Sequence, residues 1–515
     1  MKNQVQLITY PDSLGGNLGE LNKILTEELG DKIGGVHILP FHPSSRDRGF
    51  SPLTYFRIDS RFGSWRDLEK ISENYELMAD LILNHISRES KIFQDYLKRG
   101  DKSKYKNYFI SAENFCGDEL DDSSRGIIRA LKKFYRWFKR WDRIFHYRGV
   151  SCSALNKVYR PRKGNPFRLF TLAGGKIVAL WCTFSRDQVD LNLENTGVRK
   201  MIIRAMTNLK KHGVSLLRLD AVGYVIKKKD TSCFMIPETY QFISYLSRKA
   251  HERDLIIIPE VRCHYSWQLN LAEQENVDYV YDFCLPALVL YSLFGKDFSK
   301  LRDWLWIRPH NQVTTLDTHD GIGIIDVEGF LGEDETENLI EEIYARGGEI
   351  VRKATGESSE NVDNYQINTT YFSALGENGA DYLLARAIQF FTPGVPQVYY
   401  MGWLAGKNDR EKMEETGVGR DLNRHNYTLA EIKKERRRQV VKDLEKLMDF
   451  RSNYPAFQGK FNLSKSAKHK LEMQWRKDEY FCRLFIDLKT RRGLIEYRDK
   501  KSGKVKKWDF IKKVK

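Results

Sequence analysis

The chain has 515 residues, 41% hydrophobic and 30% charged, and its 85 Lys and Arg against 69 Asp and Glu leave a net charge of +16. At about 100–200 residues per folding unit, this length means roughly three units or one large barrel with insertions, and the apolar share suffices for a sizeable core. Aromatics at 12%, with only 13 Pro and 36 Gly, exclude long disordered stretches.

No run of about 18 apolar residues occurs, so no membrane span is expected. The start, MKNQVQLITYPDS, reads as a first strand and not as a secretory signal. The seven cysteines, at 116, 152, 182, 233, 263, 284 and 482, are scattered and form no CxxC pair. That spacing predicts a reducing, cytoplasmic location, with neither a disulfide framework nor a structural zinc site. The cationic surplus is compatible with nucleic acid, an anionic surface or an anionic small substrate; no nucleic-acid module is visible, so no nucleic-acid partner is expected.

In chain order, eight short runs rich in Val, Ile and Leu and bounded by turn residues read as buried parallel strands. They are 5–10, 35–41, 77–84, 213–219, 255–259, 277–283, 313–316 and 396–401. Helical patterns at 18–29, 65–73, 198–211, 238–253 and 383–391 separate most of them. Strand then helix, repeated eight times, predicts an α/β fold, the (β/α)8 TIM barrel. Two intervals are too long for simple crossovers and predict insertion subdomains. After residue 457 the pattern alternates, as at 472–477 and 481–487, which predicts a small C-terminal antiparallel β domain. The expected division is barrel 1–85, insertion 86–195, barrel 196–321, insertion 322–376, barrel 377–456 and C-terminal β domain 457–515.

Ionisable residues fall at the C-terminal ends of these runs: His85 after the third, Arg218 and Asp220 at the fourth, Glu260 at the fifth, His319 and Asp320 at the seventh. In a barrel these ends share one rim, where catalytic groups collect. Asp220 could simply cap a turn, His85 could be a satisfied core or hinge histidine, and His319 could simply orient its neighbours. It is the joint placement on separate strands that points to a site. Three carboxylates and an arginine suit glycosyl transfer with retention. One carboxylate attacks the anomeric carbon, a second gives and then takes a proton, and a third holds sugar hydroxyls as the ring flattens. The nucleophile's role fits Asp220, because Arg218 lies two residues away on the same strand face and favours the charged form.

At these residues the sequence resembles the α-amylase superfamily (glycoside hydrolase family 13), close to its sucrose phosphorylase branch. ILNH at 82–85, RLDAVGY at 218–224, PEV at 259–261 and LDTHDGIG at 316–323 match the family's four motif regions. DRGFSP at 47–52, NYQINTTYFSALG at 364–376, PGVPQVYY and GRDLNRH at 419–425 match the branch. The resemblance implies Asp220 as nucleophile, Glu260 as general acid/base and Asp320 as transition-state stabiliser. It also implies that Arg218, His85 and His319 line the glucosyl subsite, that Asp47 and Arg420 hold its distal hydroxyls, and that Phe50 and Phe184 form apolar walls. Gln366 would contact substrate at the cleavage point, with Tyr224, Arg162, Asp363 and Tyr365 on the acceptor side. No metal and no cofactor is implied.

The implied reaction is phosphorolysis of sucrose to α-glucose 1-phosphate and fructose through a β-glucosyl-aspartate. The partners expected are sucrose and inorganic phosphate, with a homodimer as the candidate assembly. Phosphorylases of sucrose 6-phosphate or of a glucosylglycerol compound are the alternatives within the branch. Arg162 in YRPRKG, with Lys163 beside it, is a plausible phosphate clamp. Pro161 and Tyr365 favour plain sucrose over its 6-phosphate, since enzymes acting on the latter carry basic or His residues there. Arg262 stands where related enzymes usually carry His, and Asn364 where they carry an apolar residue. The stretch 127–149 has the spacing of a basic amphipathic helix, read as packing its apolar stripe on the barrel rim.

Overall fold

The computed structural model describes residues 1–119, 152–159, 164–355 and 361–511, with side chains at 350–355 and 361–365 outside the description. Each of the eight apolar runs forms a strand: Gln6–Thr9, Gly35–Ile38, Glu76–Ile82, Val214–Asp220, Ile256–Pro259, Val280–Asp282, Gln312–Thr315 and Val395–Tyr399. Numbered one to eight, they form one sheet in the neighbour order six, seven, eight, one, two, three, four, five. Every pairing is parallel. Strands five and six lie in contact at the seam, which closes the barrel. The runs are mostly apolar because helices cover the outer face while the inner face fills the barrel.

The covering helices are amphipathic. Thr196–Lys211 buries Val198, Ile202, Ala205, Met206 and Leu209, one stripe at helical spacing. Its first turn is capped by the Asn195 side chain, which accepts from the Gly197 and Val198 amides. Trp65–Ser72 starts on a Ser64–Asp67 capping box. Each Leu or Ile buried against the barrel contributes about 1.5–3 kcal/mol.

Inside the barrel the side chains stack in layers. Met78, Leu216, Ile258, Tyr281, Phe283 and Val313 form one apolar cluster. Two residues further along strands three and four stand Asp80 and Arg218, paired in register. Two further again, Asp220 pairs with Ile82. The period of two therefore carries one strand face from apolar floor to charged layer to rim.

His85 differs from its expected place. Strand three ends at Ile82, and His85 opens a separate short strand, His85–Ser87, antiparallel to Gln188–Asp190 of the first excursion. The apolar run continues through Leu83, so composition hides the break. A hairpin of Phe167–Thr171 and Ile177–Trp181 completes the described strands of this excursion. The second excursion carries helix Glu333–Ala345 and a three-stranded sheet of Ile322–Gly323, Glu349–Thr355 and Asn361–Asn368. At the C-terminus, five antiparallel strands from Lys460 to Asp509 form a sheet, docked by Trp475, whose indole N–H donates to the Phe391 carbonyl at 2.8 Å. The amphipathic stretch 127–149 lies outside the described residues. Among those described, no helix is long and apolar enough to cross a membrane.

The cysteine reading needs one correction. Cys116 and Cys152 form a disulfide with Cα atoms 6.0 Å apart; the other five form no disulfide and are buried. A sequence separation of 36 residues gives no sign that the two backbones meet. Titrated in denaturant without reductant, the protein should show five thiols, rising to seven after reduction. Seven before reduction contradicts the bond.

Candidate active site

A cavity of about 440 Å³ opens at the C-terminal rim of the barrel. Asp47, Phe50, His85, Phe184, Asp220, Tyr224, Glu260, His319, Asp320, Gln366 and Arg420 all line it. Arg218 lies beneath, 4% exposed, and reaches the lining carboxylates from below. Arg162 lies outside the described residues. Asp363 and Tyr365 sit on the strand Asn361–Asn368, with side chains outside the description.

Arg218 organises the centre. Its Nη1 donates to Asp220 Oδ1 at 3.0 Å and to Asp80, and its Nη2 lies 3.5 Å from Glu260 Oε1. Asp80 is held on its other oxygen by His37 Nε2 at 2.8 Å. Backbone geometry helps to bring Asp220 and Glu260 together: Ala221, at φ 51°, turns its amide to donate to Glu260 Oε2 at 3.3 Å. Such a left-handed conformation at a non-glycine residue is costly and is typical of functional sites.

The charges do not balance evenly. Burial works against the Asp80 carboxylate, but Arg218 and His37 outweigh it and hold it down to about 2. One guanidinium cannot compensate three carboxylates to the same degree. Burial pushes Asp220 up to about 8, Glu260, Asp80 and Asp320 add to the rise, and Arg218 opposes it. Asp320 goes the other way. Burial opposes its charge, yet Arg420, His319, Arg262 and Arg424 keep it well below the usual carboxylate range. Arg420 Nη1 lies 3.1 Å from Asp320 Oδ1.

The walls are aromatic and polar by turns. The Phe50 ring stacks on His319 at 4.9 Å between centroids and 7° between planes. His85 Nε2 donates to the Phe50 carbonyl at 2.8 Å, and its ring meets Phe184 edge to face at 5.4 Å. Phe184 in turn meets Tyr224 at 5.4 Å. His319 Nδ1 and Gln366 Nε2 are buried and find no hydrogen-bond partner among the described residues. Buried polar atoms in a cavity wall are suited to sugar hydroxyls. Burial lowers the pKa of both histidines, so each presents a neutral ring.

Sequence reasoning missed several residues. Arg46, Asp187, Gln188 and Phe234 also line the cavity. Gln188 Nε2 donates to the Phe50 carbonyl at 3.0 Å. Lys227, its side chain 1% exposed, sits between Asp190 Oδ2 at 2.5 Å, Asn84 Oδ1 at 2.6 Å and the Tyr224 carbonyl. It ties the first excursion to the barrel directly behind His85. Position in the motif DAVGYVIK is the one signal that could have drawn attention to it.

The family described as "Alpha amylase, catalytic domain" matches residues 10–138. The glucosylglycerol phosphorylase of Marinobacter adhaerens is 40% identical over 508 residues, 98% of this chain and 99% of that one. The sucrose phosphorylase of Agrobacterium vitis is 41% identical over 505 residues, 96% of this chain and 97% of that one. The chain belongs to the α-amylase superfamily, in its sucrose phosphorylase branch. The crystal structure of sucrose 6F-phosphate phosphorylase from Thermoanaerobacter thermosaccharolyticum, 39% identical, superposes with a TM-score of 0.90 over 99% of both chains. An α-amylase from H. orenii, 15% identical, shares the fold at a TM-score of 0.66 over 96% of this chain and 91% of that one. The branch relatives named here are glycoside phosphorylases that differ in the glucoside they are named for.

A stability test follows from Asp220. Its folded-state carboxyl titrates above the unfolded value of about 3.9, so the native state binds the extra proton, and stability is lost as pH rises from about 4 to about 8. Asp220→Asn removes that loss. The variant should melt at least about 2 °C above wild type at pH 8, with the gap closing toward pH 4. A lower melting temperature at pH 8, or a gap unchanged by pH, contradicts the account.

Proposed function

We propose that the protein is a retaining α-glucoside phosphorylase with sucrose as its donor and inorganic phosphate as its acceptor. The observation that carries the reading is the sharing of Arg218 by Asp220 and Glu260 at the floor of a sugar-sized cavity, with Asp320 on the same rim. We take the barrel as 1–85, 196–321 and 377–456, the insertions as 86–195 and 322–376, and the C-terminal domain as 457–515.

In the first step Asp220 attacks the anomeric carbon as Glu260 passes its proton to the glycosidic oxygen, and fructose departs. A β-glucosyl-Asp220 ester remains. In the second step a phosphate oxygen attacks the same carbon from the vacated face, Glu260 takes the acceptor's proton, and Asp220 is released. Two inversions give α-glucose 1-phosphate. Arg218 neutralises the nucleophile and orients it. Asp320, kept ionised by Arg420, faces the positive charge that grows on the ring. His85, His319, Asp47 and Arg420 hold glucose hydroxyls, Phe50 and Phe184 keep water off the ester, and Gln366 and Tyr224 border the acceptor side. Arg162, Asp363 and Tyr365 complete that side, with Arg162 as the phosphate clamp.

A second reading, a phosphorylase of sucrose 6-phosphate or of glucosylglycerol, is favoured by the near-equal identity to relatives of both names, at 40% each. One panel separates the readings. Sucrose, sucrose 6-phosphate and glucosylglycerol are each supplied with and without phosphate, and glucose 1-phosphate is measured. The proposal expects strongest phosphate-dependent release from sucrose, and Asp220→Asn should lower that release by about four orders of magnitude or more. Release from another donor alone transfers the activity to that glucoside. Near-normal turnover by Asp220→Asn removes the mechanism.

A further inference from the structure

We propose that Arg262, seated between Phe283 and Asp326, is a positioning residue that fixes the acid/base carboxyl of Glu260. The inference rests on the acid/base reading of Glu260 given above. Glu260 stands just past strand five and is 8% exposed. Its Oε1 faces two guanidinium groups, Arg218 Nη2 at 3.5 Å and Arg262 Nε at 3.7 Å. Its Oε2 meets the Ala221 amide at 3.3 Å. The two guanidinium groups at Oε1 and the backbone amide at Oε2 thus hold the carboxyl from both of its oxygens.

Arg262 is itself held firmly. Its guanidinium carbon lies 3.8 Å from the centre of the Phe283 ring. Nη1 reaches Asp326 Oδ2 at 3.4 Å, and Nη2 donates to Thr318 Oγ1 at 3.4 Å. Asp326 is fully buried and accepts on Oδ1 from Gln268 Nε2 at 3.2 Å. Gln268 Oε1 in turn accepts from the Phe283 amide at 3.4 Å. The array closes on Gly323, where a Cβ would stand 1.9 Å from Asp326 Oδ2 and 2.9 Å from Arg262 Nη1. No side chain fits there, so the glycine is part of the cradle.

The arrangement is expensive for the fold. Burial drives the Asp326 carboxyl up to about 7 despite the opposing Arg262, and buried ion pairs of this kind are often less stable than apolar replacements. A rigidly held proton donor is a return on that cost. A carboxyl misplaced by about 1 Å from the departing oxygen can lose 100-fold in rate.

The test compares two donors on the intact protein. One is a glucoside whose leaving oxygen needs a proton. The other is α-glucosyl fluoride, whose fluoride departs without one. Arg262→Gln should lower kcat/KM about 100-fold on the glucoside and less than about 3-fold on the fluoride. Asp326→Asn, the second variant, should reproduce the split more weakly, and Arg262→Lys should restore part of it. Equal losses on both donors, or no loss on either, overturn the proposal. If wild type turns over no natural glucoside, aryl α-glucosides graded in leaving-group basicity carry the same comparison. The donor assignment then fails while the Arg262 inference is still decided: a loss that steepens with basicity upholds it, and a flat loss overturns it.

Discussion

A single guanidinium, that of Arg218, sits at the point where strands three, four and five of the barrel come together. It touches Asp80 below, Asp220 beside it and Glu260 across it. Removing so many charges from water is tolerable only with close pairing, and the pairing is deliberately incomplete. Asp80 takes most of the compensation, with help from His37, and is ionised over the whole working range. Asp220 receives the remainder, so burial keeps its carboxyl raised. The charged form of Asp220 is thus costly in the barrel, and stability is given up when it ionises.

Further cations divide the remaining work. Arg420 serves Asp320, and Arg262 serves Glu260. Each carboxylate therefore has a distinct electrostatic setting on one rim, the condition under which chemically similar groups can take different roles. The barrel supplies the carboxylates, whereas the excursions supply walls. Phe184 and Gln188 come from the first, Gln366 from the second, and Lys227 pins the first to the barrel behind His85. Relatives of near-equal identity bear different glucoside names.

The barrel was legible in the sequence because strands buried on both faces leave mostly apolar runs, such as LMADLIL and LIIIP, and these need no partner to be recognised. The three carboxylates were legible for the same reason: a charge at the end of such a run is conspicuous. What depends on pairing across the chain was not. The break after Ile82 that moves His85 onto a second strand is set by its partner at 188–190, more than a hundred residues away. The Cys116–Cys152 bond, the burial of Lys227 and the array around Asp326 are likewise contacts between segments, and each residue alone reads as an ordinary turn or surface group. Arg262 was visible as a departure from the family pattern, but its role depends on Phe283, Asp326 and Gly323, which only the fold brings together.

The central claim is that Asp220, beside Arg218, is the atom-level acceptor of the sugar. The most direct measurement is to supply α-glucosyl fluoride to Glu260→Gln without phosphate and to map any covalent adduct by peptide mass spectrometry. Without its proton acceptor the variant should form the ester faster than it loses it. The account predicts one glucosyl unit on the peptide carrying Asp220, released when a small anionic nucleophile such as azide is added. A glucosyl unit on any other residue, or fluoride released with no adduct at all, contradicts it.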